Sequence, residues 1–370
     1  MIKINYEING SLKDLKEKYI QTFIGKGRNK GNQSNTDFNN NFIKSIFNDN
    51  SITFQKLLIA DFEGLLNIQK RVGKIISDQN ELSKLKEIFD YDGVFQRNYI
   101  SPFFEEHIKP TTCYYCNIDF INVFGKYNDV FDFLNHATEE ELKLSSIGKE
   151  KQIIKQREKR KFEVDGDLEI IPLNREEMEK VKRYFLDEII VGNGFTLDHV
   201  FDKGKYPYFA LSLFNLVPCC YICNSKLKGS KPIGDVSPSS EKFDFHEKVK
   251  FKTYFSTNND KLLIEKQDDV EIYLKEYASE PTYKDYIEVF RLNERYRFHR
   301  YRVIEMIDKR KRYPESRIQE LANLTGQTPM QVKKDLFGEY LFENDPKDQD
   351  LSKRPLAKLT RDIAEELGLI

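Results

Sequence analysis

Residues 195–231 read FTLDHVFDKGKYPYFALSLFNLVPCCYICNSKLKGSK and contain the most informative pattern of the central part of the chain. The β-like run at 196–199 predicts a short strand. Residues 215–218, Asn-Leu-Val-Pro, predict a second strand that the proline ends. Residues 221–228 predict a short helix, which Gly229 closes. The expected order is therefore strand, loop, strand, helix.

Polar side chains lie at three points of this frame. Asp198 and His199 are consecutive, and consecutive strand residues point to opposite faces, so one can bind a metal while the other handles a proton. Asn224 directly follows Cys223 and can face Asp198 across the hairpin. Taken singly, an Asp-His pair, or Asn215 at a turn, also has an ordinary structural explanation.

Four of the five cysteines form two pairs of equal spacing, Cys113 with Cys116 and Cys220 with Cys223. Cysteines kept reduced in a cytosolic chain usually bind metal when they form C-x-x-C pairs, because the gap lets both sulfurs reach one tetrahedral zinc. We therefore expect one structural zinc held by all four. A redox pair is the alternative, but such motifs prefer small intervening residues. Cys219 is expected to be a packed thiol, although zinc sites tolerate its spacing too.

The series Asp198-His199, then NLVPCC at 215–220, then CNSKLKG at 223–229 resembles the HNH endonucleases. The ββα-metal fold of that family is often braced by a zinc held by two C-x-x-C pairs. The resemblance implies an α+β chain that is mostly helical, with a small central ββα-metal module braced by the four cysteines.

The resemblance also implies a role for each polar residue. His199 would be the general base that takes a proton from the attacking water. Asp198 from the strand and Asn224 from the helix would bind a single divalent cation, and Asn215 would hold the loop and orient His199. A carboxylate and an amide oxygen suit Mg²⁺ or Mn²⁺ better than zinc. A positioned base and a cation are what phosphodiester hydrolysis requires.

Two features depart from the family pattern. Asp202 stands where relatives often have proline, and a long insertion separates Cys116 from Asp198. This insertion, about residues 125–190, predicts charged and amphipathic helices with a hairpin near Asp165. It raises the question whether the first cysteine pair joins the zinc.

The remainder of the chain divides around this module. Residues 1–100 predict a mainly helical region in which the polar stretch 25–41 is a loop. Residues 101–240 form the module with its insertion. Residues 241–370 predict a strand at 251–255, another near 261–266, then helices and an amphipathic C-terminal helix that docks on the body or a partner.

The stretch 291–312 is basic and interleaved with aromatic residues, which favours contact with a phosphate backbone and bases. Leu292, Tyr296, His299 and Val303 also fit one helical face, so an amphipathic helix with a solvated basic side is the alternative. Lysines on the short helix after Cys223 are equally compatible with plain solvation. The candidate nucleic-acid contacts are Lys226, Lys228, Arg295, Arg297 and Arg300.

Composition excludes several classes of protein. The formal net charge is −1, which argues against a uniformly basic nucleic-acid coat, and 28 Phe with 20 Tyr supply apolar mass that a disordered chain lacks. Residues 1–14 contain no apolar signal region, and no apolar run is long enough to span a bilayer. We expect a cytoplasmic protein without a membrane partner.

These observations predict a metal-dependent endonuclease that hydrolyses phosphodiester bonds in DNA and leaves a 5′-phosphate, as the resembled family does. The spacing of residues 206–220 is also similar to HNH effector subunits of bacterial anti-phage systems that work beside an ATPase, such as Septu. One alternative is a zinc-stabilised module that binds nucleic acid or a partner without catalysis. Another is an RNase of the same fold.

Overall fold

The computed structural model describes residues 1–7, 10–24, 32–72, 78–162, 171–255, 269–277, 282–342 and 351–370. The chain forms two compact units. The larger contains Met1–Phe120 and Thr196–Ile370, and the smaller contains Ile121–Phe195. Helix dominates, and the described strands pair into small antiparallel sheets.

Helices occur throughout both units. The π-helices span Tyr91–Ile100, Phe185–Ile189 and Ile222–Lys228. The α-helices are α1 (Leu12–Phe23), α2 (Asn32–Phe47), α3 (Phe54–Ile59), α4 (Phe62–Val72), α5 (Gln79–Ile88), α6 (Ser101–His107), α7 (Val130–His136), α8 (Glu139–Leu144), α9 (Glu150–Lys159), α10 (Arg175–Tyr184), α11 (Phe245–Lys248), α12 (Lys284–Val289), α13 (Leu292–Arg297), α14 (Arg300–Arg312), α15 (Glu315–Thr325), α16 (Pro329–Phe337) and α17 (Ala357–Glu366).

Six described strands form three two-stranded antiparallel sheets, in which β1 pairs with β2, β3 with β4 and β5 with β6. The strands are β1 (Val123–Gly125), β2 (Ile190–Asn193), β3 (Thr196–His199), β4 (Leu216–Cys219), β5 (Val249–Phe255) and β6 (Val270–Glu276).

The hairpin of β3 and β4 and the helix after it lie within residues 195–231, where the sequence predicts a strand, a loop, a strand and a helix. Thr196 lies opposite Cys219 and His199 lies opposite Leu216. The second strand begins one residue later than predicted, because Asn215 ends a short 3-10 helix. The following helix ends at Gly229, which adopts a positive φ of 51° that favours glycine.

The smaller unit has its own hydrophobic core. Among the buried residues of this core, the four helices α7 to α10 contribute Phe133, Leu142, Ile153, Met178 and Val181. The unit covers the insertion that the sequence placed at about 125–190. The hairpin predicted near Asp165 lies outside the described residues.

In the larger unit, one predicted loop is partly wrong and one predicted strand lies outside the described residues. The loop predicted at 25–41 is wrong from residue 32 onward, because α2 extends back from its buried Ile43 and Phe47 through the polar stretch. Residues 25–31 lie outside the described residues, as does the strand predicted near 261–266. The strand predicted at 251–255 is present as the greater part of β5.

The C-terminal helix α17 packs against β5, as its amphipathic pattern predicted. Asp362 accepts a hydrogen bond of 2.7 Å from the backbone N–H of Phe251. Lys358 pairs with Asp362 one turn away, and both side chains are fully buried. Among the described residues, no helix combines the length and apolar character that crossing a membrane requires.

Candidate functional site

Cys113, Cys116, Cys220 and Cys223 converge on one buried point. Their Sγ atoms all lie within 4.8 Å of one another. A tetrahedral zinc with Zn–S bonds of about 2.3 Å needs sulfurs about 3.8 Å apart, so four thiolates at this spacing fit such an ion. The first pair therefore joins the second despite the long insertion, and the group could hold a metal such as zinc.

Local hydrogen bonds shape the first cysteine pair. The backbone N–H of Cys113 donates to Asp119 O at 3.0 Å, and that of Asn117 donates to Cys113 O at 2.7 Å. The second pair lies at the start of the π-helix Ile222–Lys228. Cys219 is buried outside the four-cysteine group, with its Sγ 3.7 Å from Thr196 O. Burial raises the pKa of the Cys219 thiol, which keeps it protonated.

Tyr115 connects the cysteine cluster to the candidate catalytic strand. It lies between Cys113 and Cys116, and its buried phenol donates a 2.6 Å hydrogen bond to Oδ2 of Asp198. The turn that carries the first two sulfurs therefore also fixes the carboxylate of Asp198.

Lys228 also binds the carboxylate of Asp198. Its Nζ lies 3.2 Å from Oδ1 and 3.1 Å from Oδ2 of Asp198, and it also donates to the backbone oxygen of His199 at 2.8 Å. Lys228 is 1% exposed and Asp198 is 3% exposed. Burial raises the pKa of Asp198, and the neighbouring ammonium opposes that rise.

This arrangement bears on the expected divalent cation. An open carboxylate is what Mg²⁺ or Mn²⁺ requires, but the Asp198 carboxylate is already neutralised by Lys228. The amide of Asn224 donates to Thr196 Oγ1 at 3.0 Å, two residues before Asp198 in β3. The residues as arranged do not fit a cation shared by Asp198 and Asn224.

His199 points to the opposite side of β3, where its imidazole has a defined tautomer. Nε2 lies 2.9 Å from the carbonyl oxygen of Ala210. A carbonyl only accepts hydrogen bonds, so Nε2 carries the proton and Nδ1 keeps its lone pair. Within the described part of the chain, no group hydrogen-bonds Nδ1. This is the form in which an imidazole accepts a proton.

Asn215 clamps the loop that carries the Ala210 carbonyl. Its Oδ1 accepts from the backbone N–H of Phe201 at 2.7 Å, while Nδ2 donates to the carbonyls of Phe201 at 3.1 Å and Phe209 at 2.9 Å. The side chain is fully buried. It thus ties both ends of the loop together next to Ala210.

The surroundings of His199 keep it neutral. Its ring meets Tyr91 edge to face at a centroid distance of 4.4 Å and is 8% exposed. Burial lowers the pKa of His199 to about 4, and the cations of Lys203 and Lys228 act in the same direction. Lys203 lies 4.8 Å from the centroid of the Tyr91 ring and pairs with Asp92.

The candidate nucleic-acid contacts separate by exposure. Lys226 is exposed, with its Nζ 5.8 Å from the ring centroid of Tyr221, and the side chain of Arg297 is 62% exposed. Lys228 is buried in the Asp198 pair. Arg300 is 15% exposed and lies 3.1 Å from Glu271. Arg295 is 18% exposed and contacts sulfur atoms of the cysteine cluster.

Sequence reasoning missed the partners that hold these groups. Nothing in the spacing singled out Tyr115 as a partner of Asp198, although its place between two cysteines fixes it. Lys228 was a candidate phosphate contact, with plain solvation as the alternative, whereas its Nζ is buried against Asp198. The Ala210 carbonyl carries no sequence signal.

Comparison of the chain with protein-family models, with curated proteins and with solved structures finds no match in any of the three.

Proposed function

We propose that the protein is an endonuclease that hydrolyses phosphodiester bonds, with His199 as the general base. The observation that carries the proposal is the hydrogen bond from Nε2 of His199 to Ala210 O, which leaves Nδ1 as a proton acceptor. A water whose proton passes to Nδ1 forms a bond to phosphorus while the bond to the leaving 3′-oxygen breaks, and this oxygen takes up a proton from solvent. The products are a 5′-phosphate and a 3′-hydroxyl.

Three features of the surroundings of His199 are consistent with this proposal. The side-chain amide of Asn215 makes its three hydrogen bonds to the loop that carries Ala210. Lys203 sits beside the Tyr91 ring that covers His199, where an ammonium can meet a phosphate oxygen. Burial keeps His199 neutral at pH 7, which is the form a general base needs.

The substrate and the two metals of this proposal rest on different kinds of observation. The four buried sulfurs support zinc as a structural ion. DNA as the substrate, a catalytic Mg²⁺ or Mn²⁺ and service beside an ATPase in anti-phage defence rest on the resemblance to HNH endonucleases. Asp198 and Asn224, as arranged, do not fit a shared site for that cation. Exposed Lys226 and Arg297 are the described basic candidates best placed to meet a phosphate backbone.

A binding module without catalysis is the second candidate, and one observation favours it. The Lys228 ammonium neutralises Asp198, which leaves no open carboxylate for a catalytic cation. Such a module would use the cysteine cluster and the exposed basic side chains, and it would not need Nδ1 of His199.

Labelled double-stranded DNA, single-stranded DNA and RNA, each incubated with the protein in Mg²⁺, Mn²⁺ or EDTA, separate these functions. The nuclease proposal expects cleavage products with 5′-phosphates. Cleavage of RNA alone would identify an RNase. Cleavage that persists in EDTA would show that the reaction does not require Mg²⁺ or Mn²⁺. Binding of DNA without any cleavage under all conditions would favour the binding module.

A further inference from the structure

Arg295 lies against the cysteine cluster with both ends of its guanidinium. Nη1 is 3.2 Å from Sγ of Cys223, and Nη2 is 3.4 Å from Sγ of Cys116. These two sulfurs belong to different C-x-x-C pairs. We propose that Arg295 is an outer-sphere partner of the metal–thiolate centre, which it stabilises by neutralising part of its charge and joining the two pairs.

The charge of the centre gives the physical reason. Four thiolates around one Zn²⁺ leave two excess negative charges in a buried site, where charge is costly unless paired. The guanidinium is permanently cationic, and its N–H groups make charge-assisted bonds to anionic sulfur. Among the charged side chains of the described residues, Arg295 is the one whose donors contact these sulfurs.

The fold fixes Arg295 in this position. Its neighbour Tyr296 is fully buried and donates a 2.6 Å hydrogen bond to the carbonyl of Cys116. Asp119 Oδ2 lies 3.4 Å from Nη2 and orients the guanidinium from the outer side. Helix α13 is thus one wall of the metal centre, and its arginine faces inward.

Direct contact between Arg295 and nucleic acid fits this geometry poorly. The side chain is 18% exposed and its terminal nitrogens are turned towards sulfur. Arg297, two residues further along α13, is 62% exposed and does not contact the cluster. The pair Arg295 and Arg297 therefore offers a matched comparison on one short helix.

Zinc release tests the proposal without reference to cleavage. Zinc-loaded wild type, Arg295→Met, Arg295→Lys, Arg297→Met and Arg297→Lys are mixed with an excess of a chromogenic zinc chelator, and the native alkylation rate of the cysteines by N-ethylmaleimide is followed in parallel. We expect Arg295→Met to release zinc roughly 10-fold faster or more, the size typical of a lost outer-sphere partner. Arg295→Lys should fall between, because lysine lacks the two-donor fork. Both Arg297 variants should match the wild type.

The proposal is overturned if the Arg295 variants release zinc and react with N-ethylmaleimide at the wild-type rates, or if the Arg297 variants change by the same factor. A wild-type protein that binds no zinc also overturns it. If Arg295→Met does not fold, as judged by circular dichroism, Arg295→Lys against Arg297→Lys decides the outcome. The same order of rates in a His199→Ala background shows that the result stands independently of the proposed nuclease activity.

Discussion

Asp198 and His199 are neighbours in sequence, yet different parts of the chain hold them. Tyr115 and Lys228 bind the carboxylate of Asp198 on one side of β3. The Ala210 carbonyl and the Tyr91 ring hold His199 on the other side. The alternation of a β-strand therefore separates a buried ion pair from a proton acceptor within two residues.

Replacement of Lys228 by methionine tests the ion pair. The change leaves the buried Asp198 carboxylate without its cation, and we expect the free energy of unfolding to fall by about 3–5 kcal/mol. Urea denaturation measures it. Lys226→Met, on the same helix but exposed, is the control and should stay within about 0.5 kcal/mol of the wild type. Equal stability of the two variants would refute the structural role of Lys228.

The sequence was informative about which residues gather at the site and less so about their partners. Cysteine spacing is a strong signal, because two sulfurs per pair and two pairs leave few geometries for a shared ion, and all four do converge. Partners such as Lys228 and Ala210 O are set by tertiary packing, which no local pattern of residues encodes. The predicted role of His199 stays a prediction, whereas the arrangement of Asp198 and Asn224 does not fit the shared cation predicted there.

His246 makes stability depend on pH. Burial, together with the nearby cations Lys358, Lys250 and Arg361, lowers its pKa to about 2, whereas in the unfolded chain it titrates near 6.5. As the pH falls below 6.5, His246 binds a proton in the unfolded state but not in the folded state, so the free energy of unfolding decreases. We expect thermal melting between pH 7.5 and 5, values chosen to bracket this pKa, to fall less steeply in His246→Gln. A parallel fall in both proteins would contradict this.

At the scale of elements, the turn at Cys113–Asn117 joins distant segments of the larger unit. Asn117 is fully buried and adopts a positive φ of 52°. Its Nδ2 donates to the carbonyls of Leu351 at 3.2 Å and Arg354 at 2.9 Å, and its Oδ1 accepts from the N–H of Lys358 at 3.1 Å. One side chain thereby docks the start of α17 onto the cysteine turn.

Two substitutions of Asn117 separate its backbone strain from its hydrogen bonds. Asn117→Ala removes the hydrogen bonds and keeps the left-handed conformation, and we expect a loss of about 2–4 kcal/mol in unfolding free energy. Asn117→Gly removes the same bonds but tolerates the conformation, so it should lose about 1 kcal/mol less. Chemical denaturation of both variants measures the difference. A glycine variant less stable than the alanine variant would contradict the assignment.

Element prediction succeeded where the pattern is local. The short strand at 196–199, the helix after Cys220 and the amphipathic α17 all follow from apolar spacing and a closing glycine. The loop prediction failed at residues 32–41. This asparagine-rich stretch is the first part of α2, because the helix that the apolar face further along stabilises extends back through it. Buried contacts of a helix outweighed the loop preference of its polar residues.

At the scale of the whole molecule, the cysteine cluster contacts segments of the larger unit well beyond the β3–β4 hairpin. Tyr286 in α12 hydrogen-bonds to Tyr115 O at 2.9 Å, and Tyr296 in α13 bonds to Cys116 O. The N-terminal segment also joins it, because the N–H of Ile2 donates to Tyr114 O at 3.1 Å. Segments far apart in sequence therefore depend on the turn that carries Cys113 and Cys116.

Removal of the metal should loosen these segments together. After chelation we expect faster amide hydrogen exchange in α12, α13 and α17, because their anchoring carbonyls lose a fixed position. Hydrogen-exchange mass spectrometry of the loaded and chelated protein measures this. Helices α7 to α10 are the internal control, since their core includes none of the four cysteines. Exchange that rises only in β3 and β4 would contradict the wider role of the cluster.

The nuclease proposal depends most on the proton acceptor at His199. The decisive measurement is the rate of DNA cleavage by His199→Ala and by wild type at equal zinc content, with His136→Ala, an exposed histidine of the smaller unit, as the control. We expect a loss of at least about 100-fold for His199→Ala, the typical contribution of a general base, and no change for the control. Cleavage by folded, zinc-loaded His199→Ala at the wild-type rate would contradict it.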